Sequence, residues 1–164
     1  MFHLVTTDKD LDEVVTVARI IWTEHYTSII GIEQVEYMLE KFNSKQVIAE
    51  QIADDNYQYY LVKNKGEIVG YIGVQLKASE LFLSKIYIQS AERGLGLGKL
   101  SMAFIKKVAE ENNLSKITLT VNKNNRDTIA AYYKFGFTNT GEVCADIGEG
   151  YVMDDLQMEL QLSE

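Results

Sequence analysis

A glycine-rich segment at residues 93–99 is the part of the chain whose spacing most clearly indicates a chemical role. Its residues, in order, are Arg93, Gly94, Leu95, Gly96, Leu97, Gly98 and Lys99. The segment follows an apolar stretch typical of a buried strand and precedes a stretch with helical periodicity, so its main-chain amides are expected to point out of the positive end of a helix. Glycines let the backbone turn tightly and come close to a ligand. The segment therefore predicts an anion-binding site, and phosphate is the anion we expect.

Three phosphate-binding patterns can be compared with this segment. A P-loop requires Gly, four further residues and then Gly-Lys-Ser/Thr, but here Arg93 stands where the first Gly belongs and Leu100 replaces the Ser or Thr. A dinucleotide-binding loop requires Gly-x-Gly-x-x-Gly, whereas Gly94, Gly96 and Gly98 are evenly spaced. The pattern that fits is Arg-x-x-Gly-x-Gly. For the loop taken alone, the alternative is a glycine-rich turn that only joins a strand to a helix.

A second segment, residues 125–137, favours a phosphate-binding loop over a simple connecting turn at residues 93–99. It carries Asn125, Tyr132 and the pair Gly136 and Phe137. Their spacing matches the C-terminal sequence pattern of one known protein family. With both motifs present, in order and in the expected elements, the chain resembles the GNAT superfamily of N-acetyltransferases.

The resemblance implies an α/β fold of the GNAT acyl-CoA N-acyltransferase type, with a mixed central sheet of about six to seven strands flanked by helices, in a single domain over residues 1–164. It implies acetyl-CoA as cofactor, CoA as product, and transfer of the acetyl group to a primary amine. The implied cofactor site consists of Ile86, Tyr87, Ile88, Arg93, Gly94, Leu95, Gly96, Leu97, Gly98, Lys99, Asn125 and Lys134. Residues 86–88 are expected to give main-chain contacts to the acetyl and pantetheine part, and residues 93–99 to wrap the diphosphate. Asn125 is typical of a helix cap, to which the resemblance adds a pantetheine contact. Lys134 either nears the phosphates or is only a favourable charge at a helix C-terminus.

Acetyl transfer to an amine needs an acid for the departing thiolate and an acceptor for the amine's proton. The resemblance implies Tyr132 as the acid, because a phenol with a reference pKa of about 10 is protonated at neutral pH; adjacent Tyr133 is the alternative. An alkylamine with a pKa of about 10.4 is almost fully charged at pH 7, so a carboxylate would lower the cost of deprotonation. Glu80 is predicted as this base, with a solvated strand end as the alternative. Weaker candidates are Glu24, His25, Asp154 and Asp155.

Hydrophobic periodicity predicts the elements that position these motifs. Thr7 or Asp8 caps a first helix, residues 32–42 form a second, and Ser44 caps a third. The other predicted elements are strands at 2–5, 57–62, 67–74, 80–88, 116–121, 137–144 and 151–162, and helices at 98–112 and 125–134. The strand at 80–88 is apolar enough to be buried on both faces. The order is a helical N-terminal part, an antiparallel meander, a strand-helix-strand-helix unit and a closing hairpin. In the meander, residues 63–66, which end in Gly66, are predicted to form a hairpin turn between the strands at 57–62 and 67–74.

Composition and charge exclude several classes of partner. The chain has 164 residues and a formal net charge of −8, which argues against nucleic acids and anionic membranes because both require a basic surface. The charge suits a cationic partner, or serves only solubility. No apolar run approaches the ~18 residues that span a bilayer, and the first residues lack a secretory signal. The single cysteine, Cys144, is predicted to be a buried thiol in a cytoplasmic protein. No metal site is expected.

The acceptor pocket implied by the resemblance is built from the first helices and the last hairpin. These supply Trp22, His25, Tyr26, Tyr37, Met38, Tyr151 and Met153, beside Glu24, Glu33, Glu36, Asp154 and Asp155. Aromatic rings beside carboxylates can receive a cation by charge and by cation–π contact, although each residue alone is also typical of core or surface. The chain is diffusely similar to bacterial polyamine acetyltransferases, so a small cationic amine is predicted. Protein N-termini or lysines, and a non-catalytic acyl-CoA-binding module, are the alternatives. Many relatives are dimers, so a homodimer stays open.

Overall fold

The computed structural model describes residues 1–89 and 96–162, and within them it contains five α-helices and seven β-strands. The helices are α1 (Asp8–Ile30), α2 (Ile32–Phe42), α3 (Lys45–Asp54), α4 (Leu97–Glu111) and α5 (Arg126–Phe135). The strands are β1 (Phe2–Leu4), β2 (Tyr57–Asn64), β3 (Glu67–Leu76), β4 (Glu80–Ile88), β5 (Lys116–Asn122), β6 (Thr138–Gly148) and β7 (Tyr151–Gln161). They form one sheet in the order β1-β2-β3-β4-β5-β7-β6, in which β4 and β5 are parallel. The predicted α/β fold with a mixed sheet of six to seven strands is confirmed.

The chain folds into two compact units. The first unit consists of Met1–Leu76 together with Ser84–Ser101, and the second of Lys77–Leu83 together with Met102–Glu164.

In the first unit, α1 begins where the sequence predicts a cap. The Thr7 hydroxyl accepts a hydrogen bond from the Asp10 amide at 3.1 Å, and the Asp10 carboxylate accepts one from the Thr7 amide at 3.1 Å. This reciprocal pair satisfies two amides that a helix start otherwise leaves without partners. The amide of Thr6, together with these bonds, lowers the pKa of Asp10 to about 2. α1 then buries Val14 and Ala18 in the core.

A two-residue turn joins β2 to β3 in the first unit. Lys65 and Gly66 both have positive φ, 54° and 82°, and Asn64 pairs with Glu67 across the hairpin. Two consecutive positive φ angles give the turn whose twist matches that of the flanking strands. The predicted hairpin is therefore confirmed.

In the second unit, β5 lies between β4 and β7. Its pairing with β4 is parallel and covers Glu80–Phe82 with Lys116–Thr118, and its pairing with β7 is antiparallel over all seven of its residues. α5 ends at Gly136, whose φ of 103° is left-handed. β6 pairs with β7 and forms the edge of the sheet.

β4 is buried on one face rather than on two, so the expectation from its apolar composition is wrong. Leu81, Leu83 and Lys85 are buried, whereas Phe82 and Ser84 between them are half-buried. Successive side chains of a strand point to opposite faces, and only one face of β4 is fully covered.

Cys144 is exposed, so the prediction of a buried thiol is also wrong. It lies on the edge strand β6, with Glu142 and Asp146 two residues away on either side, and both carboxylates are exposed. Because alternate residues of a strand share a face, Cys144 faces solvent together with these charges.

None of the helices within residues 1–89 and 96–162 combines the length and the apolar character that crossing a membrane would require.

Candidate functional site

The start of α4 offers open space next to helix amides, as the glycine pattern predicts. Gly96 has a φ of 78°, and its carbonyl oxygen accepts the Leu100 amide at 3.0 Å, so the helix begins directly after it. A Cβ placed on Gly96 or Gly98 would have no neighbouring atom within 4 Å. Leu97 is buried, whereas Lys99 is exposed. An anion such as a CoA phosphate fits a helix N-terminus with this free approach.

Three members of the predicted loop lie outside the described residues. These are Arg93, Gly94 and Leu95. The described part of the loop consists of Gly96, Leu97, Gly98 and Lys99.

The end of β4 carries the three residues expected to contact the acyl group through their main chain. Ile86, Tyr87 and Ile88 are half-buried, and they lie outside the β4–β5 ladder, which covers Glu80–Phe82 on β4. A Cβ on Gly70 of β3 would collide with the carbonyl oxygen of Tyr87. Only glycine at position 70 allows this close approach, a requirement that the sequence alone does not reveal.

An aromatic cluster in the first unit brings together several residues predicted for the acceptor pocket. The Trp22 ring centroid lies 4.5 Å from that of Tyr26 and 5.4 Å from that of Tyr87, and Tyr87 lies 6.1 Å from Tyr26 and 5.4 Å from Tyr71. The His25 ring is 4.7 Å from Tyr26. The side chain of Tyr87 thus joins the cluster while its main chain belongs to the predicted cofactor strand.

Hydrogen bonds fix the inner side of this aromatic cluster. The Trp22 indole nitrogen donates to the Tyr71 hydroxyl at 2.9 Å, and that hydroxyl donates to Asn43 Oδ1 at 3.0 Å. Burial raises the pKa of Tyr71 well above its usual value, so its hydroxyl stays protonated. The Asn43 Nδ2 group is buried and has no hydrogen-bond partner among the described residues.

Other residues predicted for the acceptor pocket are dispersed. Met38 is buried on α2, Tyr37 lies 5.6 Å beneath the Lys41 ammonium, and Glu36 is paired with Arg19 at 2.9 Å. Glu24 and Glu33 are exposed, and in the second unit Tyr151 and Met153 are half-buried on β7.

Lys85 is a buried lysine that the sequence pattern did not identify as a site residue. Its Nζ donates to the Phe42 carbonyl oxygen at 2.6 Å and to the Tyr59 hydroxyl at 2.8 Å. The Tyr59 hydroxyl in turn donates to Gln51 at 2.5 Å. Burial lowers the pKa of Lys85 to about 7. A lysine in the middle of an otherwise apolar strand was the available signal.

In the second unit, the end of α5 fixes Tyr132. Its ring is buried with 8% exposure and lies 5.4 Å from the Phe137 ring, and its carbonyl oxygen accepts the Phe137 amide at 3.0 Å. Adjacent Tyr133 is 48% exposed. Lys134 is exposed in the last turn. Asn125 occupies the N-cap position, but its side chain makes no capping hydrogen bond, so it is not the cap that its residue type suggests.

Two carboxylates of the second unit have different surroundings. Glu80 Oε2 accepts the Thr118 hydroxyl at 2.5 Å. Asp155 is only 6% exposed, and burial, followed by the charge of Asp154, raises its pKa against the effect of a Thr120 hydrogen bond. Asp154 itself is paired with Lys123 at 2.9 Å.

Comparisons with known proteins identify similar chains. A model of the acetyltransferase (GNAT) family matches residues 16–137. The chain is 27% identical over 132 residues to 5-NmdU N-acetyltransferase of Pseudomonas phage PaMx11, which covers 79% of this chain and 91% of that protein. It is 23% identical over 133 residues to spermidine N(1)-acetyltransferase of Thermoplasma acidophilum, which covers 79% and 83%. Among solved structures, PaiA N-acetyltransferase from Thermoplasma acidophilum in complex with coenzyme A matches with a TM-score of 0.80 at 19% identity, over 99% of both chains. At that identity, the structural likeness shows the fold.

Proposed function

Because the chain belongs to the acetyltransferase (GNAT) family and is an N-acetyltransferase that uses acetyl-CoA, we propose that its acceptor is a small cationic, polyamine-like primary amine. The acetyl group moves from the sulfur of CoA to the amine nitrogen, and CoA leaves. The observation that carries the acceptor proposal is the aromatic cluster of Trp22, Tyr26, Tyr71 and Tyr87 in an acidic protein.

We propose that two groups of described residues and three residues outside the described part hold acetyl-CoA. They are Ile86, Tyr87, Ile88, Gly96, Leu97, Gly98 and Lys99 in the first unit and Asn125 and Lys134 in the second, together with Arg93, Gly94 and Leu95 outside the described residues. The open space at Gly96 and Gly98 before α4 supports the diphosphate part. When bound, acetyl-CoA supplies a thioester whose carbonyl carbon accepts the amine nitrogen.

Tyr132 is proposed as the acid that gives a proton to the departing sulfur. Its support is the register at the end of α5: the Phe137 amide and ring hold Tyr132 in a buried position, whereas Tyr133 points to solvent. For the amine's proton, the resemblance implies Glu80, and that role stays a prediction.

A cationic acceptor is supported by charge and by aromatic rings. The net charge of −8 attracts cations, and an aromatic face binds an alkylammonium group with about 0.5–2 kcal/mol. Tyr87 in this cluster and the adjacent His25 are half-buried, whereas the rings of Trp22, Tyr26 and Tyr71 are buried. One relative is named for spermidine and another for 5-NmdU, so membership of the family does not select the acceptor.

Two alternatives remain. Transfer to a protein N-terminus or lysine would use the same cofactor site. A non-catalytic acyl-CoA-binding module would not need an acid, and the buried Tyr132 argues against it.

A panel of acceptors tests the proposal. Wild-type protein is incubated with acetyl-CoA and spermidine, free lysine or a short peptide, and CoA release is followed by a free-thiol assay, with an acceptor-free control. We expect kcat/KM for spermidine to exceed the other values at least ~10-fold, equivalent to about 1.4 kcal/mol. Faster acetylation of the peptide than of spermidine would contradict a small amine acceptor and would favour a protein N-terminus or lysine. Acetyl-CoA binding without thiol release from any acceptor would favour the binding module.

We also propose that the chain acts as one domain over residues 1–164 in the cytoplasm. The family match runs through both compact units, which supports the single domain. The exposed free thiol of Cys144 is usual in a reducing compartment.

A further inference from the structure

We propose that Tyr71 of β3 is a positioning residue, which sets the affinity for the acceptor amine by holding the ring of Tyr87. This inference rests on the proposed function, because it takes the Tyr87 ring as the aromatic face on which the ammonium group packs. Tyr87 is half-buried, whereas Tyr71 is fully buried. Tyr71 therefore acts through Tyr87 and does not touch the amine. Both residues belong to the first unit.

Two consecutive residues of β3 hold Tyr87, one at its main chain and one at its ring. A Cβ on Gly70 would collide with the Tyr87 carbonyl oxygen, so the two main chains are in close contact there. The Tyr71 ring centroid lies 5.4 Å from that of Tyr87, with the ring planes at 43°. Beside them, the Gln89 amide donates to the Val69 carbonyl oxygen at 2.8 Å and joins β4 to β3. Because aromatic contacts are directional, the orientation of Tyr71 determines where the Tyr87 ring lies.

The Tyr71 hydroxyl is fixed on both sides. The Trp22 indole N–H donates to it at 2.9 Å, and the hydroxyl donates to Asn43 Oδ1 at 3.0 Å. An indole N–H can only donate, so the hydroxyl accepts from Trp22 and gives its own proton to Asn43. Asn43 is held in turn at the end of α2, where its amide donates to the Leu39 carbonyl oxygen at 3.0 Å. These bonds give the Tyr71 side chain a single orientation.

Trp22 connects the same hydroxyl to the Tyr87 ring by a second path. Its ring centroid lies 5.4 Å from that of Tyr87, edge-on with the planes at 61°, and its indole nitrogen is the group bonded to Tyr71. The Tyr87 ring thus lies against two rings that one hydroxyl joins. Removal of that hydroxyl would keep all three rings but would free both neighbours of Tyr87 to turn.

A second buried tyrosine hydroxyl of the first unit provides a comparison. The Tyr59 hydroxyl accepts from Lys85 at 2.8 Å and donates to Gln51 at 2.5 Å, and Lys85 also donates to the Phe42 carbonyl oxygen at 2.6 Å. The Tyr59 ring stacks on Tyr57, with the centroids 6.0 Å apart. This network connects β2 and β4 to α2 and α3, and its ring contact is with Tyr57 instead of Tyr87.

The Asn43 amide indicates that the Tyr71 network serves more than stability. Its Nδ2 group is buried and has no hydrogen-bond partner among the described residues. A buried amide without a partner destabilises the folded state, so an apolar residue at position 43 would serve stability better. Such an exception in a folded protein calls for a reason other than stability. The orientation that Asn43 gives to the Tyr71 hydroxyl supplies this reason.

Deletion of each hydroxyl tests the inference, with kcat and KM measured for spermidine and acetyl-CoA by the thiol assay. Tyr71→Phe should raise the KM for spermidine ~10-fold, because the freed rings must be ordered again when the amine binds. Its kcat and its KM for acetyl-CoA should stay within about twofold of wild type. Tyr59→Phe is the matched control, because it removes the same group from an equally buried tyrosine on the neighbouring strand. It should lower the melting temperature as Tyr71→Phe does but leave the KM for spermidine unchanged.

A double variant separates action through Tyr87 from a general loosening of the fold. Tyr87→Leu removes the aromatic face and should itself raise the KM for spermidine ~10-fold. Because Tyr71 acts through this ring, adding Tyr71→Phe to Tyr87→Leu should raise that KM no further. Residues that act as one unit show such non-additivity, whereas independent structural effects multiply.

Asn43→Leu approaches the same hydroxyl from its acceptor side. It leaves the Tyr71 side chain intact but removes the oxygen that receives its proton, so the KM for spermidine should rise as in Tyr71→Phe. If Tyr71→Phe does not fold, Asn43→Leu alone and combined with Tyr87→Leu gives the same decision.

Three results would overturn the inference. They are an unchanged KM for spermidine in the hydroxyl variants, an equal rise in Tyr59→Phe, and effects that multiply in the double variant. Failure of the wild type to acetylate spermidine appears before any variant is measured, and it contradicts the proposed function and the inference with it. Wild-type turnover together with an unchanged KM in Tyr71→Phe contradicts the inference alone.

Discussion

At the residue scale, the choice of Tyr132 depends on register rather than on residue type. The chain has ten tyrosines, and phenol chemistry alone does not separate them. The left-handed Gly136 ends α5, and Phe137 then packs on the Tyr132 ring at 5.4 Å. Only a glycine adopts that φ of 103° without strain, so the Gly-Phe pair determines which tyrosine is buried.

We expect Tyr132→Phe to lower turnover at least ~10-fold, because a positioned acid-base group contributes about 100-fold or more. The ring contact with Phe137 is kept, so acetyl-CoA should still raise the melting temperature as in wild type. Tyr133→Phe is the matched control, since it removes the same hydroxyl from an exposed neighbour. Steady-state rates by the thiol assay measure both variants, and full activity of Tyr132→Phe would remove the residue from the mechanism.

Residue types and their spacing were sufficient to select the glycine segment at residues 93–99 and Tyr132 as site candidates. They do not indicate how deeply an individual side chain is buried. The usual burial of cysteines predicts a core position for Cys144, although Glu142 and Asp146, two residues away on either side, indicate that its face of the strand meets solvent. Lys85 and Asp155 are the reverse case, because charged types indicate surface. Lys85 contacts the end of α2 and β2, and Asp155 lies on β7 between β5 and β6, so the burial of each depends on residues that are distant in the sequence. Gly70 is required by the approach of a separate strand at Tyr87.

At the element scale, hydrogen bonds of Lys85 connect β4 to the end of α2 and to β2. Its Nζ group donates hydrogen bonds to the Phe42 carbonyl oxygen at the end of a helix and to the Tyr59 hydroxyl. Helix C-termini leave carbonyl groups without intrahelical partners, and a donor at this position satisfies one of them. The first unit thus holds α2 next to the strand that carries residues 86–88.

Lys85→Met should change how the stability of the protein depends on pH. The pKa of Lys85 is lowered to about 7 in the folded state by burial, so the unfolded chain binds more protons between about pH 7 and 10.5. The wild-type free energy of unfolding should therefore rise with pH relative to the variant, by about 1 kcal/mol per pH unit. Urea unfolding at pH 7, 8 and 9 measures the difference. An unchanged difference across these pH values would mean that Lys85 is charged in the folded protein.

Element boundaries were predictable where local chemistry fixes them. The Thr7 cap, the Ser44 cap and the Lys65-Gly66 turn are all present in the structure, because each depends on a few adjacent residues. The burial of β4 was not predictable, since an apolar strand looks the same whether one face or two are covered.

At the scale of the whole molecule, the order of elements was sufficient to predict a mixed sheet, but not the order of all its strands. A meander followed by a strand-helix-strand-helix unit requires one parallel pair, and β4 and β5 form it. The insertion of β7 between β5 and β6 was not predicted, because strand order inside a sheet depends on non-local pairing. The family match over residues 16–137 agrees with the two motifs that suggested it.

Acetyl-CoA is proposed to bind with its diphosphate at the start of α4, and calorimetric titration of acetyl-CoA tests this placement most directly. The proteins compared are wild type, Gly96→Glu and Gly66→Glu, in which both glycines have similar φ, 78° and 82°, and open surroundings. Backbone strain and charge change are therefore matched, but only Gly96 stands before α4, where a carboxylate repels phosphate. We predict that wild type and Gly66→Glu bind alike, while Gly96→Glu binds at least ~100-fold more weakly, equivalent to about 2.7 kcal/mol. No binding by wild type, or equal affinity in Gly96→Glu, would contradict the account.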